Sequence, residues 1–112
     1  MAIDYEGQAI ETTGTGYLVN SEDWSEGLAR LMAAADGLEL NDAHWDVINY
    51  LRDEYFNNNQ TQPNTRSIVK AISDKWGRAV DQKELYDLFP GDPSKQAGRI
   101  AGLPESRRKG GY

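Results

Sequence analysis

Cysteine is absent from the 112 residues of this chain. Its absence excludes disulfide bonds, thiolate metal sites and a thiol nucleophile. Histidine is nearly absent as well, because His44 is the only one. A single histidine without cysteine partners cannot build a common zinc site. We therefore expect His44 to be a structural hydrogen-bonding residue, and we expect no metal and no cofactor.

Long apolar runs are also missing, since no stretch approaches the roughly 20 residues that a membrane-spanning helix needs. The N-terminus lacks the basic region and apolar run of a signal peptide. We expect a cytoplasmic protein that makes no membrane contact. A length of 112 residues suits one domain with a modest core.

The charges are unevenly distributed along the chain. Residues 1–60 contain twelve acids and two bases, whereas residues 61–112 contain ten bases and six acids. The net charge of −6 argues against non-specific nucleic-acid binding. The basic second half leaves two interpretations open, namely two solvated faces of opposite sign or a local site for an anionic partner.

Periodicity and capping signals predict a mainly α (α+β) fold with a flexible C-terminal arm. Two β-prone runs flank Glu6-Gly7 and predict a small N-terminal hairpin. Apolar spacing and capping residues predict a bundle of about five helices. Their expected ranges are 25–35, 42–57, 64 or 65 to 76, 81–89 and 92–101.

The third and fourth predicted helices form a helix-turn-helix-like segment over residues 65–89. That geometry suits DNA reading, and its phosphate contacts would be Arg66, Lys70, Lys75 and Arg78. The second helix has one base against two acids, which disfavours binding in a DNA groove. No phosphate-binding glycine loop and no GxSxG nucleophile motif occurs in the sequence.

A series of short segments forms a recognisable pattern along nearly the whole chain. Those in the first two thirds are GYL at 16–18, Trp24, HWDVINYLR at 44–52, and Pro63 with Arg66 and Lys70. The most specific are LYxLFP at 85–90, PxKQA at 93–97 and AGLP at 101–104. In these segments the chain resembles the DsrC/TusE family, the gamma-type subunit associated with dissimilatory sulfite reductase and its sulfur-relay relatives.

The resemblance implies one domain over 1–104 and a flexible basic arm over 105–112. In the family, a penultimate cysteine on the arm accepts sulfur as a persulfide. Sulfite-reductase-linked members have a second cysteine just after the Lys-Gln-Ala segment. Gly98 and Gly111 occupy these two positions here. Because sulfur transfer needs a thiolate, the resemblance implies that the chain is not an enzyme.

Three functions follow as alternatives. The first is a non-catalytic interaction or regulatory protein of sulfur metabolism. It would bind sulfite reductase, a heterodisulfide-reductase-like complex or other sulfur-relay proteins. The docking residues expected for it are Lys95, Gln96, Arg99, Arg107, Arg108 and Lys109. The second is a DNA-binding transcriptional regulator. The third is a sulfur carrier, which requires that the cysteines were removed artificially.

Overall fold

An N-terminal hairpin opens the computed structural model, which describes residues 1–105. Strand β1 (Ala2–Tyr5) pairs antiparallel with β2 (Gln8–Glu11). The two turn residues, Glu6 and Gly7, have φ values of 49° and 81°. Positive φ at both positions is typical of the tight turn that matches the twist of paired strands. The predicted hairpin is therefore confirmed.

Five α-helices follow a short 3₁₀ turn at Ser21–Asp23 within the described residues. They are α1 (Glu26–Ala35), α2 (Asp42–Asn57), α3 (Thr65–Trp76), α4 (Gln82–Leu88) and α5 (Pro93–Ile100). The mainly α (α+β) fold is confirmed, and α3 and α4 form a helix-turn-helix-like pair joined at Gly77. No helix within residues 1–105 is long and apolar enough to cross a membrane.

Each helix begins at a residue whose side chain accepts hydrogen bonds from the first helical turn. These N-cap residues are Ser25, Asn41, Asn64, Asp81 and Asp92. An N-cap of this kind stabilises a helix by about 1 kcal/mol relative to alanine. Because the caps are local, the sequence predicts the helix starts closely.

The short helix α5 lies at the centre of the fold, packed against α1, α2, α3 and α4. Its residues Ala97, Gly98 and Ile100 are buried. Leu51 of α2 and Phe89, which follows α4, belong to the same core. A helix with four packed neighbours has a fixed position, so the side chains on its remaining outer face are also fixed in space.

His44 is a structural residue that joins the start of α2 to the end of α4. Its Nδ1 accepts a hydrogen bond from the Asn41 N–H at 3.1 Å, and its Nε2–H donates to the Leu88 carbonyl at 3.0 Å. The ring also meets Phe89 edge-on, with centroids 5.1 Å apart. The predicted hydrogen-bonding role is confirmed. Residues 1–105 contain no group of three or more potential metal ligands.

Candidate functional site

The start of α5 sets the direction of its outer face. Asp92 adopts an unusual φ of 109°, and its carboxylate accepts hydrogen bonds from Ser94 N–H at 3.0 Å and Lys95 N–H at 3.3 Å. Pro93 then occupies the first helical turn, where its fixed φ favours helix formation. The cap and the proline together start the helix sharply. The Lys95 side chain therefore projects from the first turn of α5 on the side away from the core.

Three of the predicted docking residues, Lys95, Gln96 and Arg99, line one open groove. The groove lies between the 13–17 loop and α5 and has a volume of about 620 Å³. Its other lining residues are Thr15, Tyr17, Asp36, Pro90, Gly91 and Glu105. The fold therefore brings together all three of the predicted docking residues that lie in the described part of the chain.

Asp36, at the end of α1, engages two of these three residues. Gln96 Nε2–H donates to Asp36 Oδ2 at 3.0 Å, and Arg99 forms an ion pair with the same oxygen. Gln96 Oε1 also accepts from the Gly91 N–H at 2.7 Å. Both ends of the Gln96 side chain are thus occupied. In this structure Gln96 and Arg99 hold α5 against α1 and form a wall of the groove.

Glu105, in the segment after α5, also lines the groove. Its Oε1 accepts a hydrogen bond from Thr15 Oγ1 at 2.8 Å. The Glu105 charge also affects the pKa of the buried Tyr17. Burial is the largest cause that raises the pKa of Tyr17, and the Glu105 carboxylate raises it further. Sequence reasoning missed Thr15, Asp36 and Glu105, because no local pattern connects Thr15 with a residue 90 positions away.

The end of α5 is held by two side chains from distant elements. Trp24 Nε1–H donates to the Ile100 carbonyl at 2.8 Å, and Arg52 donates to the Ala101 carbonyl at 2.7 Å. The Arg52 guanidinium also stacks 3.7 Å above the Trp24 ring. A cation at a helix C-terminus interacts favourably with the last carbonyl groups and with the negative end of the helix dipole. These contacts fix the point from which the chain leaves the body.

Gly102 fits closely beneath the same tryptophan. It has a φ of 79°, and a Cβ built on it would lie 2.4 Å from Trp24 Cδ1. Both the left-handed backbone and the close approach therefore require glycine. Glycine just after a helix is typical of a left-handed C-terminal residue, but the sequence did not reveal the tryptophan that covers it.

Gly98 lies in the middle of α5 and is buried, yet a Cβ built on it would meet no atom within 4 Å. It borders a small hollow that is also lined by Leu51, Pro63 and Leu103. The position where the resemblance places a family cysteine therefore has room for a side chain. Glycine supplies no reactive atom there, so this hollow performs no thiol chemistry.

The predicted nucleic-acid contacts do not form a DNA-reading face. Lys75 is nine residues from Arg66, which places it on about the opposite side of α3 at 100° per residue. Arg78 forms a bidentate ion pair with Glu84 at 3.0 and 2.5 Å. Arg66 and Lys70 are exposed and four residues apart, on one side of α3.

The remaining predicted site residues lie outside the described residues. They are Arg107, Arg108, Lys109 and Gly111.

Solved structures share this fold over nearly all of the chain. The DsrC of Allochromatium vinosum, solved by NMR, has a TM-score of 0.85 and 42% identity, with 96% of each chain covered. The oxidized gamma-subunit of the dissimilatory sulfite reductase of Archaeoglobus fulgidus has a TM-score of 0.87 and 30% identity, covering 96% of this chain and 98% of that one.

The sequence relatives correct the predicted function. Sulfurtransferase TusE of Photorhabdus laumondii is 46% identical over 102 residues, covering 90% of this chain and 91% of the relative. Sulfurtransferase TusE of Escherichia coli K12 is 45% identical, with 90% and 93% covered. These names point to sulfur relay. The predictions of a regulatory protein and of a DNA-binding regulator are therefore wrong. The model of the family described as DsrC like protein matches residues 4–108, and the chain belongs to this family.

Proposed function

We propose that this chain works in a sulfur relay, where it holds thiol-bearing relay proteins through the outer face of α5. The observation that supports this most strongly is its 46% identity to a sulfurtransferase TusE over 90% of the chain. A match over 90% of the chain covers most of the elements that pack against α5. The groove and the hollow beside Gly98 lie on that helix.

The chemistry of sulfur transfer limits what the chain contributes. A thiolate of the acceptor attacks the outer sulfur of a persulfide, the S–S bond breaks, and the donor leaves as a thiolate. Both reacting groups are sulfur atoms, and the 112 residues contain no cysteine. The donor and acceptor thiols must then belong to the partners. The contribution of this chain is to bring them together, since proximity and orientation accelerate a bimolecular step.

The proposed docking surface consists of Lys95, Gln96 and Arg99 on α5, continued by Arg107, Arg108 and Lys109. Five of these six residues are cationic, so the matching partner surface is anionic. The proposal also includes a domain over residues 1–104, an arm over residues 105–112 and a cytoplasmic location.

A second candidate partner is dissimilatory sulfite reductase itself. The observation that favours it is the fold shared with the Archaeoglobus fulgidus protein, which is the gamma-subunit of that enzyme. A heterodisulfide-reductase-like complex is the third partner class to compare in the same binding assay.

The test is a reconstituted relay made from the sulfur-relay proteins of the same genome. The donor is loaded with ³⁵S as a persulfide, and the label on the acceptor is followed with and without this chain. We expect faster transfer in its presence, with no label on the chain itself. Lys95→Gln should reduce the acceleration, whereas Lys83→Gln, which removes the same charge from α4, should not.

An unchanged transfer rate, together with no complex on size-exclusion chromatography with relay proteins or sulfite reductase, would contradict the proposal. Label that appears on the chain would contradict the assignment of the thiols to the partners.

A further inference from the structure

The groove beside α5 contains a carboxylate supplied by the chain itself. Glu105 lines the groove together with Lys95 and Arg99, and Thr15 Oγ1–H donates to Glu105 Oε1 at 2.8 Å. Glu105 is exposed, and the hydrogen bond to Thr15 is an exposed one. An exposed contact of this kind is weak, because water competes for both groups.

The donors in the groove are not equally available. The Arg99 guanidinium is paired with Asp36, and their side chains are only 20% and 25% exposed. The side chain of Gln96 is occupied at both ends. Lys95 differs, because no hydrogen bond or ion pair from residues 1–105 reaches its ammonium group. Among residues 1–105, the groove therefore offers Lys95 as a cation without a partner and Thr15 as a hydroxyl donor that already binds a carboxylate.

From this arrangement we infer that the groove binds an acidic side chain of a partner protein, which pairs with Lys95 and displaces Glu105 from Thr15. The inference rests on the proposed docking function and specifies the chemistry that this surface recognises. Lys95 supplies the charge and Thr15 the hydroxyl. Gln96 and Arg99 are held in position by their bonds to Asp36, which lines the same groove.

Two features favour a carboxylate on a polypeptide over a small anion. The groove is open and about 620 Å³ in volume, which is much larger than one anion and suits a short segment of chain. The group that occupies it in this structure is itself a glutamate side chain of a polypeptide.

The experiment is an NMR titration of the whole chain with N-acetyl tetraglutamate amide. The matched tetraglutamine peptide and inorganic phosphate serve as the other two arms. We expect the tetraglutamate peptide to shift the amide signals of Thr15, Tyr17 and Lys95 and the other two probes to leave them in place. Lys95→Gln should weaken tetraglutamate binding by about twofold to fivefold, the range expected for the loss of one exposed charge pair.

Glu105→Gln provides the decisive variant. Removal of the competing carboxylate should strengthen tetraglutamate binding by a few fold, whereas Lys83→Gln on α4 should change nothing. Weaker binding by Glu105→Gln, shifts spread evenly over the basic residues, or shifts caused by phosphate alone would each overturn the inference. If tetraglutamate fails to bind while the chain still accelerates sulfur transfer, only this inference fails. If tetraglutamate binds but transfer is not accelerated, the proposed function fails.

Discussion

Gly98 permits a direct test of the hollow beside α5. Its backbone is helical, and a Cβ built there would meet no atom within 4 Å. Alanine in a helix interior is more favourable than glycine by about 0.5–1 kcal/mol, because it loses less backbone freedom on folding. The added methyl also enters a space bordered by Leu51 and Leu103. We expect Gly98→Ala to raise the free energy of unfolding by about 1 kcal/mol.

Urea unfolding followed by circular dichroism and tryptophan fluorescence measures this change. With a slope of about 2 kcal/mol per molar urea, the midpoint should rise by about 0.5 M. Two glycines with positive φ provide the controls. Gly77→Ala has open space but a φ of 69°, so it should lose about 1 kcal/mol. Gly102→Ala adds the overlap with Trp24 and should lose more.

Equal or lower stability of Gly98→Ala would refute the reasoning, because it would mean that neighbouring side chains fill the hollow. The same geometry predicts that Gly98→Cys folds normally and presents one thiol, which titration with a thiol reagent in the folded and unfolded states would count. Failure of that variant to fold, with Gly98→Ala stable, would limit the free space to a single methyl group.

Three further predictions concern side chains that join distant elements. Burial lowers the pKa of His44 below its ordinary 6.5, although the hydrogen bond to a carbonyl opposes this effect. Below pH 6.5 the unfolded chain therefore binds more protons than the folded chain, so the free energy of unfolding should decrease as the pH is lowered in wild type but not in His44→Gln. Urea midpoints at pH 7.5 and 5.5 would show the difference. Arg52→Met leaves the Ala101 carbonyl without its donor and should cost about 2 kcal/mol in the same unfolding assay; no loss would mean that water replaces the guanidinium. Arg78→Ala removes an exposed ion pair with Glu84 and a cation–π contact with the Trp76 ring at 5.1 Å, so it should lower the free energy of unfolding by about 1 kcal/mol at most in a thermal unfolding assay.

The helix boundaries could be predicted because their signals are local. Asp92 followed by Pro93 marks the start of α5, and the capping side chain contacts residues only two and three positions away. The spacing of Asp81 and Glu84 at the start of α4 is typical of a reciprocal capping box. Asp81 does accept from the Glu84 N–H, but the Glu84 carboxylate pairs with Arg78 instead. The local spacing thus predicts where α4 starts, but it does not predict that the Glu84 side chain pairs with Arg78.

The candidate site could be predicted only in part, because its contacts join residues far apart in sequence. The segment around Lys95 identified the helix that bears the groove. Its partners, Asp36 and Glu105, come from the end of α1 and the chain beyond α5. Trp24 and Arg52 were recognised only as members of a pattern. Their joint contact with the last carbonyls of α5 spans 76 and 49 positions, and no spacing rule reaches that far.

The absence of a thiol at position 98 is not accompanied by a filled site around it. If the hollow at Gly98 had been filled by larger neighbours, glycine would be required there for steric reasons. The open space shows instead that glycine is one of several residues that the fold accepts at this position. At Gly102, by contrast, the close approach of Trp24 demands glycine. The fold therefore constrains the exit of the chain from α5 more strongly than it constrains position 98. This difference agrees with a relay role in which the shape of the α5 surface matters and the reacting sulfur atoms belong to the partners.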